Sequence, residues 1–235
     1  ILPFPAATVD GSVITLHDYT IERDAFLHSL QSAKTTVPAE ETMQQSILEA
    51  LVNKVVIHRL ASRYGVRLDR KRVDAYYDEI VKNEESEEVF KKQLAQTFGW
   101  NKSQFKKRIV ETIVLGLQVS EYLSSHEELQ SAARQQIEEA ESRLQKGEAF
   151  TGTDLGYISF SMLPQEWVSV KTVAVGDRTE ILTSMDGYTI LKVVDKTVDV
   201  LETKVHLLEM TVPKKTLEDF VKEHLAEAKI HYFLN

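Results

Sequence analysis

Seven histidines are the residues of this chain best suited to acid–base or metal chemistry: His17, His28, His58, His126, His206, His224 and His231. No two are separated by three or four positions, the spacing that puts both rings on one helical face, so no helical zinc pair is predicted. The chain has no cysteine, which excludes thiolate nucleophiles, Cys-ligated zinc and disulfides. The stretch from Gly152 to Gly156 lacks the lysine a phosphate loop needs. Dinucleotide fingerprints, serine elbows and paired-carboxylate motifs are also missing from the sequence. The run Glu84-Glu85-Ser86-Glu87-Glu88 reads as a solvated helix start, its charge placed at the positive end of the helix dipole. His58 stands near an apolar stripe and reads as a rim histidine. No cofactor and no metal are therefore expected.

The chemistry that remains is apolar. Tyr76, Tyr77, Phe90, Phe98 and Trp100 are more aromatic surface than the short helices around them need. They are candidates for contacting an unfolded chain, and core packing is the competing reading of each.

The elements that must carry these residues follow from periodicity. Ala6 to Val9 and Ser12 to Thr15 flank Asp10-Gly11, the signature of a two-residue hairpin turn with positive φ at both positions. Thr15 and Asp18 open a helix with the stripe Tyr19, Phe26, Leu27 and Leu30. Pro38 and Glu40-Glu41 open a longer one along Ile47, Leu48, Leu51, Val52, Val55, Val56 and Leu60, stopping at Gly65. Asp69 caps a third helix, Ser86 a fourth that closes at Gly99, and Ser103 a long fifth with Phe105, Ile109, Ile113, Leu117 and Leu123 on one buried face. His126 to Gln130 reads as a polar linker, and a sixth helix runs from Ser131 to Lys146. Beyond Gly147 the period changes from helical to alternating. Strands are predicted at Tyr157–Phe160, Glu180–Thr183, Tyr188–Val194 and Val205–Val212, with a turn at Met185 to Gly187. A last helix, capped by Thr216, carries Leu217, Phe220, Val221 and Leu225, and Ile230 to Leu234 is an apolar tail.

Composition fits a globular protein: 235 residues, 43% hydrophobic and 27% charged. A net charge of -8 argues against a nucleic-acid partner, which calls for clustered Lys and Arg. No apolar run approaches the ~20 residues that span a bilayer. The chain opens on Ile1 rather than methionine, so removal of an upstream part is expected, by trimming or by cleavage of a signal peptide or membrane anchor.

Two parts of the chain carry a resemblance. The hairpin Val9-Asp10-Gly11 to Ile14-Thr15, the segment Ile47 to Gly65, and Phe98-Gly99-Trp100 with Gln104-Phe105 resemble the helical chaperone domain of SurA, PrsA and PpiD-type foldases. Leu2-Pro3-Phe4-Pro5-Ala6-Ala7 is similar to the stretch after the membrane anchor in some members, and Val212 to Leu234 to their returning C-terminal helix. From Ser131 to Lys196, the order of Gly147…Phe150, Asp154-Leu155-Gly156-Tyr157, Met162-Leu163-Pro164, Gly176-Asp177 and Gly187-Tyr188 resembles the parvulin family of peptidyl-prolyl isomerases.

This resemblance implies a predominantly helical α+β protein. Its expected parts are a helical chaperone domain over 1–129, a truncated parvulin-like domain over 130–204, and a strand and helix over 205–235 returning to the chaperone domain. It also implies a proline pocket, with Met162 and Trp167 at the family's Met and Phe positions and Leu155 and Phe160 as further walls; filling of the sheet's core is the competing reading. The family's catalytic polar residues are not matched. No histidine-bearing strand precedes the sixth helix, a second helix and loop are missing between Phe150 and Asp154, and the second family histidine is Thr189. Val205-His206-Leu207-Leu208 is similar to the missing first strand and offers His206 from the other end of the chain.

The leading expectation is an ATP-independent, extracytoplasmic bacterial chaperone for unfolded or proline-containing polypeptides, with weak or absent isomerase activity. An active isomerase with part of its domain missing from this sequence, and a helical scaffold for one dedicated partner, are the alternatives. Dimers made by swapping helical segments also fit.

Overall fold

The computed structural model describes residues 4–198 and 202–234. Ile1 to Pro3 of the opening stretch, Asp199 to Leu201 and Asn235 lie outside them. The fold is predominantly helical α+β, as expected, with two small antiparallel sheets. The chain divides into two compact units: one comprises the chain up to Ser120 together with the segment from Leu217, the other Glu121–Thr216.

The first unit opens with β1 (Pro5–Val9) and β2 (Ser12–Thr15), paired around Asp10 (φ 46°) and Gly11 (φ 83°). Both turn residues take the left-handed region that a type I′ hairpin requires. Thr15 then caps α1 (Leu16–Ala33), accepting the Asp18 N–H at 3.0 Å. In α2 (Glu40–Arg63), Met43, Ile47, Leu48, Leu51, Val52, Val56 and Leu60 are buried along one face. Asp69 caps α3 (Arg70–Lys82), and Ser86 caps α4 (Glu87–Phe98), which ends at Gly99 with φ 69°.

The fifth helix departs from its prediction in two ways. It begins at Lys102, because Asn101 and Gln104 form a reciprocal capping box that Ser103 is not part of. It is also interrupted: α5 (Lys102–Phe105) passes through a π-helical turn, Lys106–Val110, before α6 (Glu111–Ser125). A π-turn inserts a residue of phase. The buried face therefore shifts to Phe105, Val110, Val114, Val119 and Leu123, while Ile113 and Leu117 of the expected stripe face outward.

The chain's far end completes this unit. After α8 (Leu217–Glu227), β7 (Ile230–Tyr232) adds to the free edge of β1, giving the order β2-β1-β7. The predicted apolar tail is thus partly a strand, made legible only by the edge it pairs with. Asp10 ties the two ends together: its backbone N–H donates to Lys229 O, its carboxylate accepts the Lys229 N–H at 2.8 Å, and Arg59 and His224 lie at 3.5 and 3.3 Å.

The second unit is a four-stranded antiparallel sheet of β3 (Thr153–Ser159), β4 (Leu182–Thr183), β5 (Gly187–Val198) and β6 (Thr203–Pro213), in the order β3-β6-β5-β4. Alternation along the strands divides the apolar residues between two faces. Tyr188 and Ile190 meet Ala133 and Ile137 of α7 (Ser131–Gln145); Leu191, Val193, Val205 and Leu207 form the other core with Val170. Two readings are corrected here. The strand at 205–212, grouped with the helical domain by resemblance, pairs on both sides within this sheet. Glu180–Thr183 contributes only the two residues of β4.

His126 to Gln130 is likewise no linker. Glu127–Gln130 is a 3-10 turn, and Gln130 is 1% exposed. Its side-chain amide donates to Leu123 O and Lys215 O, and its carbonyl accepts the Lys215 N–H at 2.7 Å. A lone glutamine after two acids looks solvated in sequence; here it cross-links two chain segments that would otherwise leave backbone groups buried without partners.

Candidate polypeptide-binding cleft

Within the first unit, α1, α2 and the π-turn leading into α6 leave a cleft of about 450 Å³ between them. Ala25, Phe26 and Ser29 come from α1, and Ser46, Ile47, Ala50, Leu51 and Lys54 from α2; Phe98 and Trp100 flank Gly99 at the end of α4. Arg108 and Ile109 reach it from the π-turn and Thr112 from the start of α6. The turn matters because it rotates these residues toward the cleft while Val110 faces the core. Phe98 and Trp100 stack with ring centroids 5.2 Å apart, and Trp100 is 5% exposed.

One end of the cleft is charged. Arg108, with 15% of its side chain exposed, donates from Nη1 to Glu22 Oε1 at 2.6 Å and lies 3.9 Å from Asp18. Lys54 Nζ donates to Arg108 O at 3.5 Å. Burial holds its pKa below the ordinary lysine value, because few water molecules are left to solvate the ammonium. The arrangement offers an apolar, largely preformed trough with two cations and one carboxylate at its edge.

The sequence-derived aromatic candidates divide. The structure brings Phe98 and Trp100 together at the cleft. Tyr77 and Phe90 lie in the neighbouring core with Val73, Leu94 and Phe105; Trp100 belongs to that core as well as to the cleft wall, and Phe98 and Tyr76 pack against it from its edge. Lys54, Glu22, Phe26 and Arg108 escaped the sequence reading. Lys54 had a signal: it lies three and seven residues after Leu51 and Ile47, on the buried face of α2, where a solvated lysine does not belong.

In the second unit, Leu155, Phe160 and Trp167 are half-buried against the core formed by Val170, Leu191, Val193, Val205 and Leu207. Met162 is 76% exposed, in the turn after β3. Thr189, which the parvulin resemblance sets at a histidine position, faces Thr211 across the strands with hydroxyls 2.8 Å apart. His206 stands between Val205 and Leu207 on β6, so its ring projects to the face opposite Trp167. There it accepts or donates at 2.7 Å with Asp154 and lies 5.0 Å from the Tyr157 ring; the Tyr157 hydroxyl donates to Asp195 at 2.6 Å. Gly156 N–H, then His206, hold the Asp154 carboxyl below its ordinary range. A histidine on that face does not meet the candidate proline pocket, which corrects the role the strand's resemblance offered it.

Among the described residues there is no cluster of His, Asp and Glu fit for a metal and no helix long and apolar enough to cross a membrane. Residues 5–119 match the family model for the SurA N-terminal domain. The match includes every residue that lines the cleft, and it supports a chaperone-type role with polypeptide clients. No curated protein matches the chain.

Proposed function

We propose that this protein is an ATP-independent, extracytoplasmic chaperone of the foldase type, and that its cleft holds apolar segments of unfolded polypeptides. The observation that carries this reading is an apolar cleft walled by Phe26, Ile47, Leu51, Phe98, Trp100 and Ile109, lying wholly inside the part of the chain that matches a chaperone domain. Each client side chain buried there contributes roughly 1.5–3 kcal/mol. Two or three such anchors, offset by the entropy of ordering the segment, give micromolar capture that releases without nucleotide. The absence of cysteine suits an oxidising compartment and supports the extracytoplasmic placement.

The sheet-bearing unit is, in this reading, a trimmed parvulin-like module without isomerase activity. An isomerase lowers the ~18–20 kcal/mol amide barrier by desolvating and twisting an X-Pro bond in an apolar cup. Here three of the four cup candidates are engaged in the core, and the histidine lies on the other face.

The test is suppression of aggregation for several unrelated unfolded proteins. Near-stoichiometric protection across all of them is expected from the natural chain, and loss of protection from Ala50→Trp, which fills the cleft from an exposed position. Protection of a single protein alone would point to a dedicated scaffold instead. A protease-coupled proline-peptide assay is expected to give no turnover above buffer; robust turnover abolished by Trp167→Ala would establish the isomerase reading.

A further inference from the structure

The hydroxyls and the guanidinium that line the cleft are engaged within the chain, and its lysine is the charged donor left with most capacity to spare. The hydroxyls of Ser29, Ser46 and Thr112 donate back to Phe26 O, Thr42 O and Arg108 O of their own helices. Arg108 is engaged by Glu22. Lys54, whose ammonium carries three N–H groups, makes one long bond to a backbone carbonyl and, among the described residues, no ion pair.

The carboxylates near enough to influence Lys54 are Glu22, Asp18 and Glu111. Each is committed elsewhere: Glu22 to Arg108, Asp18 to the Thr15 hydroxyl and to Arg108 at 3.9 Å, Glu111 to Arg70. A half-buried cation with donors to spare, at the rim of an apolar trough, lacks a counter-ion from its own chain. Burial has already lowered its pKa, so a carboxylate arriving there would gain a partner whose desolvation is largely done.

We propose that Lys54 receives a carboxylate of the bound segment, so that the cleft prefers apolar stretches carrying an internal Asp or Glu side chain. The proposal rests on the cleft being the polypeptide-binding site. An internal side chain is favoured over a chain's terminal carboxylate by the walls themselves. Terminal carboxylates are captured by clusters of free backbone N–H groups. The walls here are helix interiors, whose N–H groups are bonded along their own helices.

The experiment uses fluorescein-labelled peptides, acetylated and amidated, with Phe and Leu flanking a central Glu, Gln or Lys. Their binding to the full chain is read by anisotropy. The Glu peptide is expected to bind roughly tenfold tighter than the Gln peptide, the worth of one charge-assisted hydrogen bond, and the Lys peptide weakest. Lys54→Met should erase the difference between the Glu and Gln peptides, and the ratio of their two affinities is the quantity the experiment reads. Lys54→Arg should restore part of the preference. Equal binding of Glu and Gln peptides to the natural chain overturns this inference and leaves the cleft reading standing. A preference that survives in Lys54→Met overturns it too, as does a Gln peptide with a free C-terminus that matches the Glu peptide. Binding of none of the peptides overturns both the inference and the proposed function.

Discussion

The cleft between α1 and α2 and the sheet of the second unit are both rich in apolar side chains, yet they use them differently. In the sheet, alternation sends Tyr188 and Ile190 to one core and Leu191 and Val193 to the other, and Trp167 and Phe160 cover the second. Met162, Val168, Val175 and Met185 stay exposed outside those cores. In the first unit the π-turn at 106–110 rotates part of the long helix, and the half-buried Phe26 and Ile109 border a cleft whose floor includes the buried Ile47 and Leu51. The lesson is that aromatic content alone does not mark a binding site. The candidate site differs from the sheet in joining an apolar cleft to a lysine that makes one long hydrogen bond to a backbone carbonyl.

That contrast yields predictions of decreasing size. Trp167→Ala should destabilise the second unit by roughly 3 kcal/mol, the lower end for a large aromatic because the side chain is half-buried. Client capture by the cleft should be unchanged; chemical denaturation followed beside peptide binding separates the two. Gln130→Leu removes three hydrogen bonds that join Gln130 to Leu123 and Lys215. It should cost about 2 kcal/mol in the same unit, since buried backbone groups lose partners. Phe26→Ala makes the opposite separation: peptide affinity should fall roughly tenfold, or about 1.4 kcal/mol, with a smaller change in melting temperature.

The smallest effect concerns the strand that closes the first unit. The Lys229 N–H, aided by Arg59 and His224, holds the Asp10 carboxyl below its ordinary value. A depressed carboxyl contributes stability that is complete above its unfolded pKa of about 4 and is lost as pH falls toward the folded value. Thermal melting from pH 6 down to pH 3, taken as the difference between the natural chain and Asp10→Asn, should therefore narrow below about pH 4. A constant difference across that range would show that the Asp10 charge does not hold the chain's end.

Much of the fold was legible because local chemistry agreed with it. Asp10-Gly11 specified its turn, and Thr15, Asp69, Ser86 and Gly99 each set a helix boundary. The reading failed where structure depends on distant partners. β7 exists because β1 has a free edge, and Gln130 is buried because Leu123 and Lys215 meet there. The phase of the fifth helix was misread because no residue pattern announces a π-turn; only the burial of Val110 and Val114 in place of Ile113 reveals it. Of the cleft, Phe98 and Trp100 were visible by type, while the contributions of Phe26, Lys54 and Arg108 required knowing which helices face one another.

The central claim is that clients occupy the first unit's cleft rather than the surface of the sheet. A photo-crosslinking amino acid placed in turn at Ala50, on the cleft, and at Met162, the most exposed of the proline-pocket candidates, tests it directly against a labelled unfolded polypeptide. Adducts from position 50, competed away by an unlabelled apolar peptide, with only background from position 162, are the predicted result. Strong adducts from 162 and none from 50 would contradict the account.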